Sequence, residues 1–279
     1  MRGERGRVYS PSIAMPIHPI NSLDDPLLEP YRNMKDRELA RFDARFIAEG
    51  ENVVRRLLNS RIAVESLLLS RRKVEAIAPI VNPAIPIFSA TDDVIEKVIG
   101  FEFHSGVLAC GIRPPSLQLS AILPPPPAKV RVVACQQITN TENVGSLIRI
   151  AAAFGASALL LGESCCDPFF RQSVRVSMGT IFSLPLVRSE NLCEDLDRLA
   201  VGGVETFATV LHPDSEPLAT ISPPDRVALV FGNEAQGLDE ITIRHCRRRA
   251  TIPMQLGTDS LNVAIAAAVF LYHFTATDR

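Results

Sequence analysis

The chain has 279 residues, 47% of them hydrophobic and 22% charged, with a formal net charge of −2. That length suits one large domain or two modest ones, and the apolar content excludes a mainly disordered chain. The longest apolar run, Val263 to Tyr272, is too short for a membrane-spanning helix. The first twenty residues carry early arginines and then prolines, with no apolar core of a signal peptide, so the expectation is a soluble, cytoplasmic protein. The six cysteines include no C-x-x-C pair and read as reduced core thiols rather than as a disulfide framework or a metal site. Of the 29 basic residues, four are lysines and the other 25 are arginines. A forked guanidinium suits phosphate and stacks on bases, which is compatible with RNA contact.

In chain order, Met1 to about residue 28 reads as a flexible arm rich in Arg, Pro and Ser. Residues 29–113 alternate. A strand at Arg45–Ala48 precedes a helix from Glu51 to about Ser60, and a strand at Val64–Leu69 precedes a helix near Arg71–Ala78. A strand at Ile85–Phe88 leads to a helix over Asp92–Ile99 capped by Thr91, and the segment closes with a strand at Gly106–Cys110. This pattern predicts a small α/β domain with a mainly parallel sheet. Residues 114–128 hold six of the 21 prolines in a nearly uncharged stretch and read as a linker without helix or inner strand. From residue 129 to 279 the alternation resumes on a larger scale. The expected strands are Val130–Cys135, Ala158–Leu161, Val204–Thr209 and Val227–Phe231. A polar turn over Asn140–Gly145 should lead into a helix Ser146–Phe154, and a last, nearly all-apolar helix should span Leu261–Phe274.

Ligands of parallel α/β sheets bind beyond the carboxyl ends of the strands, and three polar or glycine-bearing loops fall there. They are Asn140–Arg149, Phe231–Leu238 and Ile252–Asn262. Asn140, Asn143 or Ser260 could simply cap helices, and Gly232 and Gly237 could simply be turn residues. Arg149 falls inside an otherwise apolar helix, where a buried cation would need a structural partner or an anionic ligand, and it is expected to converge with Glu234 and Asn262. No G-x-G-x-x-G follows a strand, no Walker lysine appears and no Ser-His-Asp set stands out, which weakens dinucleotide, nucleotide-triphosphate and hydrolase readings.

Taken in order, the three loops resemble the three motifs of the SpoU (TrmH-like) family of RNA ribose 2′-O-methyltransferases in the SPOUT superfamily. Asn143-Val-Gly145 with Arg149 resembles the first, and Leu229-Val-Phe-Gly-Asn-Glu234 with Gly237-Leu238 the second. Ile252-Pro-Met254 with Ser260-Leu-Asn-Val-Ala264 resembles the third, so the likeness covers about residues 129–275. Residues 37–112, with Phe46-Ile-Ala-Glu-Gly50 and Gly106-Val-Leu-Ala109, are similar to the small ribosomal-protein-like domain that precedes the catalytic domain in several members.

The resemblance implies a C-terminal α/β domain with a parallel sheet and a deep trefoil knot, preceded by a small α/β RNA substrate-binding domain. It implies S-adenosylmethionine as cofactor, bound around Gly232, Asn233, Ile252, Met254 and Leu261, and a homodimer with its active site at the subunit interface. It implies catalytic roles for Arg149 toward the 2′-hydroxyl, for Asn143 in orienting Arg149, for Glu234 in positioning that arginine or the cofactor loop, and for Ser260 and Asn262 toward ribose or phosphate. Arg171 and Arg175 are further candidates for RNA contact. Ribosomal RNA is favoured over transfer RNA, and no metal or membrane is expected. Family members commonly carry an aspartate where this chain has Asn140. The contrasting readings are a non-catalytic RNA-binding protein that keeps the fold, and an ordinary dinucleotide-dependent enzyme.

Overall fold

The computed structural model describes residues 17–32, 45–257 and 260–276. Two sheets organise them. The first contains β1 (Ile17–Pro19), β2 (Arg45–Glu49), β3 (Val64–Ser70), β4 (Ile87–Ala90) and β5 (Val107–Ile112) in the order β1-β4-β3-β5-β2. Helices α1 (Glu51–Leu58), α2 (Val74–Ile77) and α3 (Asp92–Ile99) connect its strands.

This sheet is mixed, not mainly parallel. β4 is parallel to β1 and β3, whereas β5 is antiparallel to both β3 and β2. The reason lies after α3, where Gly100 takes a left-handed φ of 82°. The chain then doubles back along the helix, with Phe103 N–H donating to Glu96 Oε1 at 2.8 Å. β5 therefore starts beside the end of β3, where Ser70 N–H meets Gly106 O at 2.9 Å. Thr91 precedes α3 as expected, but its side chain makes no capping bond.

The arm expected over residues 1–28 also needs correction in its second half. Residues 1–16 lie outside the described residues, but β1 adds a strand to the sheet, and Ile20, Leu28 and Tyr31 are buried. Tyr31 OH and Ser66 Oγ are 2.8 Å apart. Burial holds the Tyr31 phenol well above its ordinary range, so this ring is a neutral core residue. A three-residue strand ending in proline carries too little alternation to read as a strand.

The second sheet has the order β10-β12-β9-β11-β6-β7-β8, and every pairing in it is parallel. Its strands are β6 (Val130–Cys135), β7 (Ala158–Leu161), β8 (Leu186–Arg188), β9 (Glu205–Thr209), β10 (Glu216–Pro217), β11 (Arg226–Phe231) and β12 (Arg248–Thr251). The central strands β6, β7 and β11 are almost wholly buried, as a sheet covered on both faces demands. Helix α4 (Leu119–Ile122) forms in the stretch expected to be helix-free. The prolines sit at 114–115 and 124–127, and the eight residues 116–123 between them are free to turn; Leu119 is buried against the sheet. Helices α5 (Thr141–Ala153), α6 (Arg171–Val176), α7 (Leu192–Val201), α8 (Glu240–Arg244) and α9 (Val263–Thr275) complete the unit. Among the described residues no helix is long and apolar enough to cross a membrane.

One hydrophobic cluster runs through both halves. Phe46 of β2 packs against Phe169 and Phe182 at ring-centroid distances of 5.1 and 5.7 Å. Arg113 and Asp167 form an ion pair of 2.5 Å across the same junction.

Candidate active site

The expected polar turn at 140–145 is instead the first turn of α5. Asn140 is its N-cap, accepting from Glu142 N–H at 2.7 Å and Asn143 N–H at 3.4 Å, so a neutral asparagine does the capping work. Gly145 sits inside the helix because α6 crosses it closely. A Cβ there would lie 2.6 Å from Ser173 O and 2.8 Å from Val176 Cβ.

Starting the helix early places Asn143 facing inward from α5. Its Nδ2 donates to Glu234 Oε1 at 2.8 Å, and its Oδ1 accepts from Asn262 Nδ2 at 3.0 Å. The backbone N–H of Asn140 also donates to Glu234 Oε1 at 3.3 Å. Asn262, rather than Ser260, caps α9, its Oδ1 accepting from Ala264 N–H at 2.9 Å and Ile265 N–H at 3.4 Å. One run of side-chain hydrogen bonds, Asn262 to Asn143 to Glu234, thus ties the three separated loops together.

The middle loop is folded on itself. Asn233 and Gly237 exchange backbone hydrogen bonds of 3.0 and 2.9 Å, and Asn233 Oδ1 accepts from Ala235 N–H at 2.9 Å and from Gln236 N–H at 3.1 Å. A Cβ on Gly232 would fall 2.2 Å from Gly237 C and 2.3 Å from Leu238 N. Only a residue without a side chain lets the loop close there. Gln136 holds the far end of the loop. It is buried, donates to Asp239 Oδ2 at 2.7 Å and Thr242 Oγ1 at 2.6 Å, and accepts from Asp239 N–H at 3.0 Å. Partial burial would raise the Asp239 carboxyl, but hydrogen bonds from Thr242 and Gln136 outweigh it and hold the group below its ordinary value. The sequence reading missed Gln136 and Asp239, because a glutamine ending a strand and an aspartate before a five-residue helix carry no motif.

These loops surround a cavity of about 650 Å³, within the usual size of small-molecule sites. Asn143, Gly232, Asn233, Glu234, Ile252, Met254, Ser260, Leu261 and Asn262 all line it. Phe231, Val263 and Phe270 supply apolar wall, and Thr209 to His212 close it from the end of β9. No expectation singled out that last segment.

Three arginines stand elsewhere. Arg149 does not line the cavity, is exposed, and forms no hydrogen bond or ion pair among the described residues; Asn143 is bonded to Glu234 and Asn262 rather than to it. The expectation of a buried cation fails because α5 keeps a solvent stripe, with Glu142, Arg149 and Ala153 on it at helical spacing. Arg171 is taken up by Glu49 of β2 and lies 4.4 Å over the Phe101 ring. Arg175 is more open, its side chain 56% exposed and 4.0 Å from Glu49.

Burial pushes the Cys135 thiol well up, and Cys166 is pushed up to about 12, also chiefly by burial. Both thiols are protonated, Cys135 in the core and Cys166 half-buried against it. Among the described residues no group of three or more His, Cys, Asp or Glu is placed to hold a metal.

Comparison with known proteins places this geometry. The model of the SpoU rRNA Methylase family matches residues 130–272. An uncharacterised tRNA/rRNA methyltransferase of Mycobacterium tuberculosis is 36% identical over 262 residues, covering 90% of this chain and 89% of that protein. The 23S rRNA (guanosine(2553)-2′-O)-methyltransferase of Bacillus subtilis is 28% identical, covering 82% of this chain and 87% of that one. The crystal structure of an AdoMet-bound rRNA methyltransferase from Sinorhizobium meliloti superposes with a TM-score of 0.82 at 27% identity, over 94% of this chain and 98% of that one. The chain belongs to the SpoU rRNA methylase family and is a methyltransferase.

Proposed function

We propose that the protein methylates a ribose 2′-hydroxyl in ribosomal RNA, using S-adenosylmethionine. The observation that carries this reading is the Asn262–Asn143–Glu234 hydrogen-bonded run, which brings the three motif loops to one mouth of the cavity. The residues fit the cofactor. Apolar wall from Phe231, Ile252, Leu261 and Phe270 suits an adenine ring, and the Glu234 carboxylate gives the mouth a negative group suited to a cationic donor. The hairpin closed over Gly232 leaves main-chain groups at the wall for hydrogen bonds. On this reading the connections around the cavity form the trefoil knot of the SPOUT fold, and the small leading unit selects the RNA.

S-adenosylmethionine, when bound, supplies a methyl group activated by its positive sulfur. The residues hold the ribose in line with it: Ser260 and Asn262 contact the sugar or its phosphate, and Glu234 fixes the second loop. That methyl carbon would pass to the 2′-oxygen, and the electron pair of its bond to sulfur would leave with the sulfur. The hydroxyl proton passes to a phosphate oxygen of the RNA, since a guanidinium is already protonated and has no lone pair to take it. Arg149 clamps that phosphate and polarises the hydroxyl. Lying outside its own cavity, it serves the cavity of a second copy. The face of α9 bearing Ile265, Val269 and Tyr272, all exposed, provides the apolar seam of that homodimer. Arg175 contacts RNA phosphate beside it, while Arg171 is occupied at the junction. The reaction belongs in the cytoplasm with the ribosomal RNA.

The test is transfer of radiolabelled methyl from S-adenosylmethionine to total RNA from cells lacking the gene, followed by mapping of the ribose. Arg149→Ala and Glu234→Ala proteins should each be inactive alone. After mixing and subunit exchange they should regain about a quarter of full activity, because half the dimers would hold one intact site. No recovery would place Arg149 in its own subunit's site, and no transfer by the natural protein would refute the reading.

A further inference from the structure

The junction between the two halves connects, contact by contact, to the catalytic mouth. Glu49 ends β2 and is buried, with 8% of its surface exposed. Its carboxylate receives Arg171 and lies 4.0 Å from Arg175, both on α6. From α6, Ser173 Oγ donates to Thr141 O at 2.9 Å and Gln172 Nε2 donates to Glu142 Oε1 at 2.9 Å. The same helix rests against Gly145 so closely that no Cβ would fit. Thr141, Glu142 and Gly145 belong to the first turn and a half of α5, the segment that carries Asn143. Every link is short and polar or in van der Waals contact, and several are partly shielded from water, where charge-assisted bonds keep their strength.

We propose that Glu49, although it lies outside the catalytic half, is a positioning residue for methyl transfer. It anchors α6, α6 braces the start of α5, and that bracing sets Asn143 against Glu234 and Asn262. RNA docking on the small unit is thereby registered at the reacting centre. The proposal rests on the methyl-transfer function inferred above, and the test reads coupling directly.

Amide hydrogen exchange over residues 142–147 is measured in the natural protein and in Glu49→Gln, without RNA or cofactor. The expected result is exchange about tenfold faster over that stretch, with β6 and β11 unchanged. Glu65→Gln, which removes an ion pair with Arg45 confined to the small unit, should leave the stretch unchanged. In methyl transfer to RNA, Glu49→Gln and Arg171→Gln should each lower kcat about tenfold with little change in KM, and the double variant should be no worse than either. Glu49→Asp keeps the charge but shortens the reach, and should fall between at an unchanged melting temperature. Unaltered exchange at 142–147, a loss confined to KM, or losses that multiply in the double variant would each overturn the proposal. A natural protein that transfers no methyl would instead overturn the functional reading, while the exchange result would still decide the coupling.

Discussion

Gly232 is the position at which the site tolerates least. The backbone of Gly237 and Leu238 occupies the space that any β-carbon would need. Gly232→Ala must push the loop open by more than an ångström, carrying Asn233 and Glu234 with it. Misplacement on that scale costs on the order of a hundredfold in rate. Steady-state methyl transfer by Gly232→Ala should therefore fall by about that factor. The control is Gly155→Ala, where no atom lies within 4 Å of the added carbon and only the φ of 67° opposes it. That change should cost roughly 1 kcal/mol of stability and leave turnover near normal. Equal turnover in the two variants would show that closure of the loop is not required.

At the scale of elements, α9 is buried on one side and exposed on the other. Phe270, Leu271 and Phe274 face the core, while Ile265, Val269 and Tyr272 are 55%, 40% and 57% exposed. Ile265→Glu should leave the fold intact, because the side chain already faces water, and should convert a dimer to a monomer in sedimentation velocity. A monomeric natural protein would remove the seam altogether. The same helix shows what sequence pattern can and cannot convey. Its existence and apolar character are plain from ten consecutive apolar residues, but periodicity cannot say which half of an apolar cylinder faces water. Conversely, α5 was expected to start at Ser146, because Gly145 and the polar run before it look like a turn. Tertiary contact with α6 rewards that glycine and overrides its low helix propensity. The three motif loops were legible because their residue types and order are distinctive. The exposure of Arg149, the clamp on Arg171 and the Gln136–Asp239 anchor were not, since each depends on which distant element arrives beside it.

For the molecule as a whole, two sheets need not mean two independent folding units. Phe46 packs against Phe169 and Phe182 across the junction, Arg113 pairs with Asp167, and Arg56 Nη1 donates to Met178 O at 2.6 Å. An interface holding large apolar side chains and partly shielded ion pairs couples the stabilities of the parts. Calorimetry at fixed protein concentration should accordingly show one transition, and Phe46→Ala should lower its midpoint without splitting it, at a cost of about 3 kcal/mol or more. Two resolved transitions in the natural protein would show that the halves melt separately.

The hydrogen-bonded meeting of Asn143 with Asn262 has an electrical consequence. It gathers the starting ends of two thirteen-residue helices, α5 and α9, at a single point. Aligned peptide dipoles give each such end roughly half a positive elementary charge. Together the two ends attract the Glu234 carboxylate, which accepts from Asn143 Nδ2 and from the Asn140 N–H beside them, and so fix that anion at the mouth of the cavity.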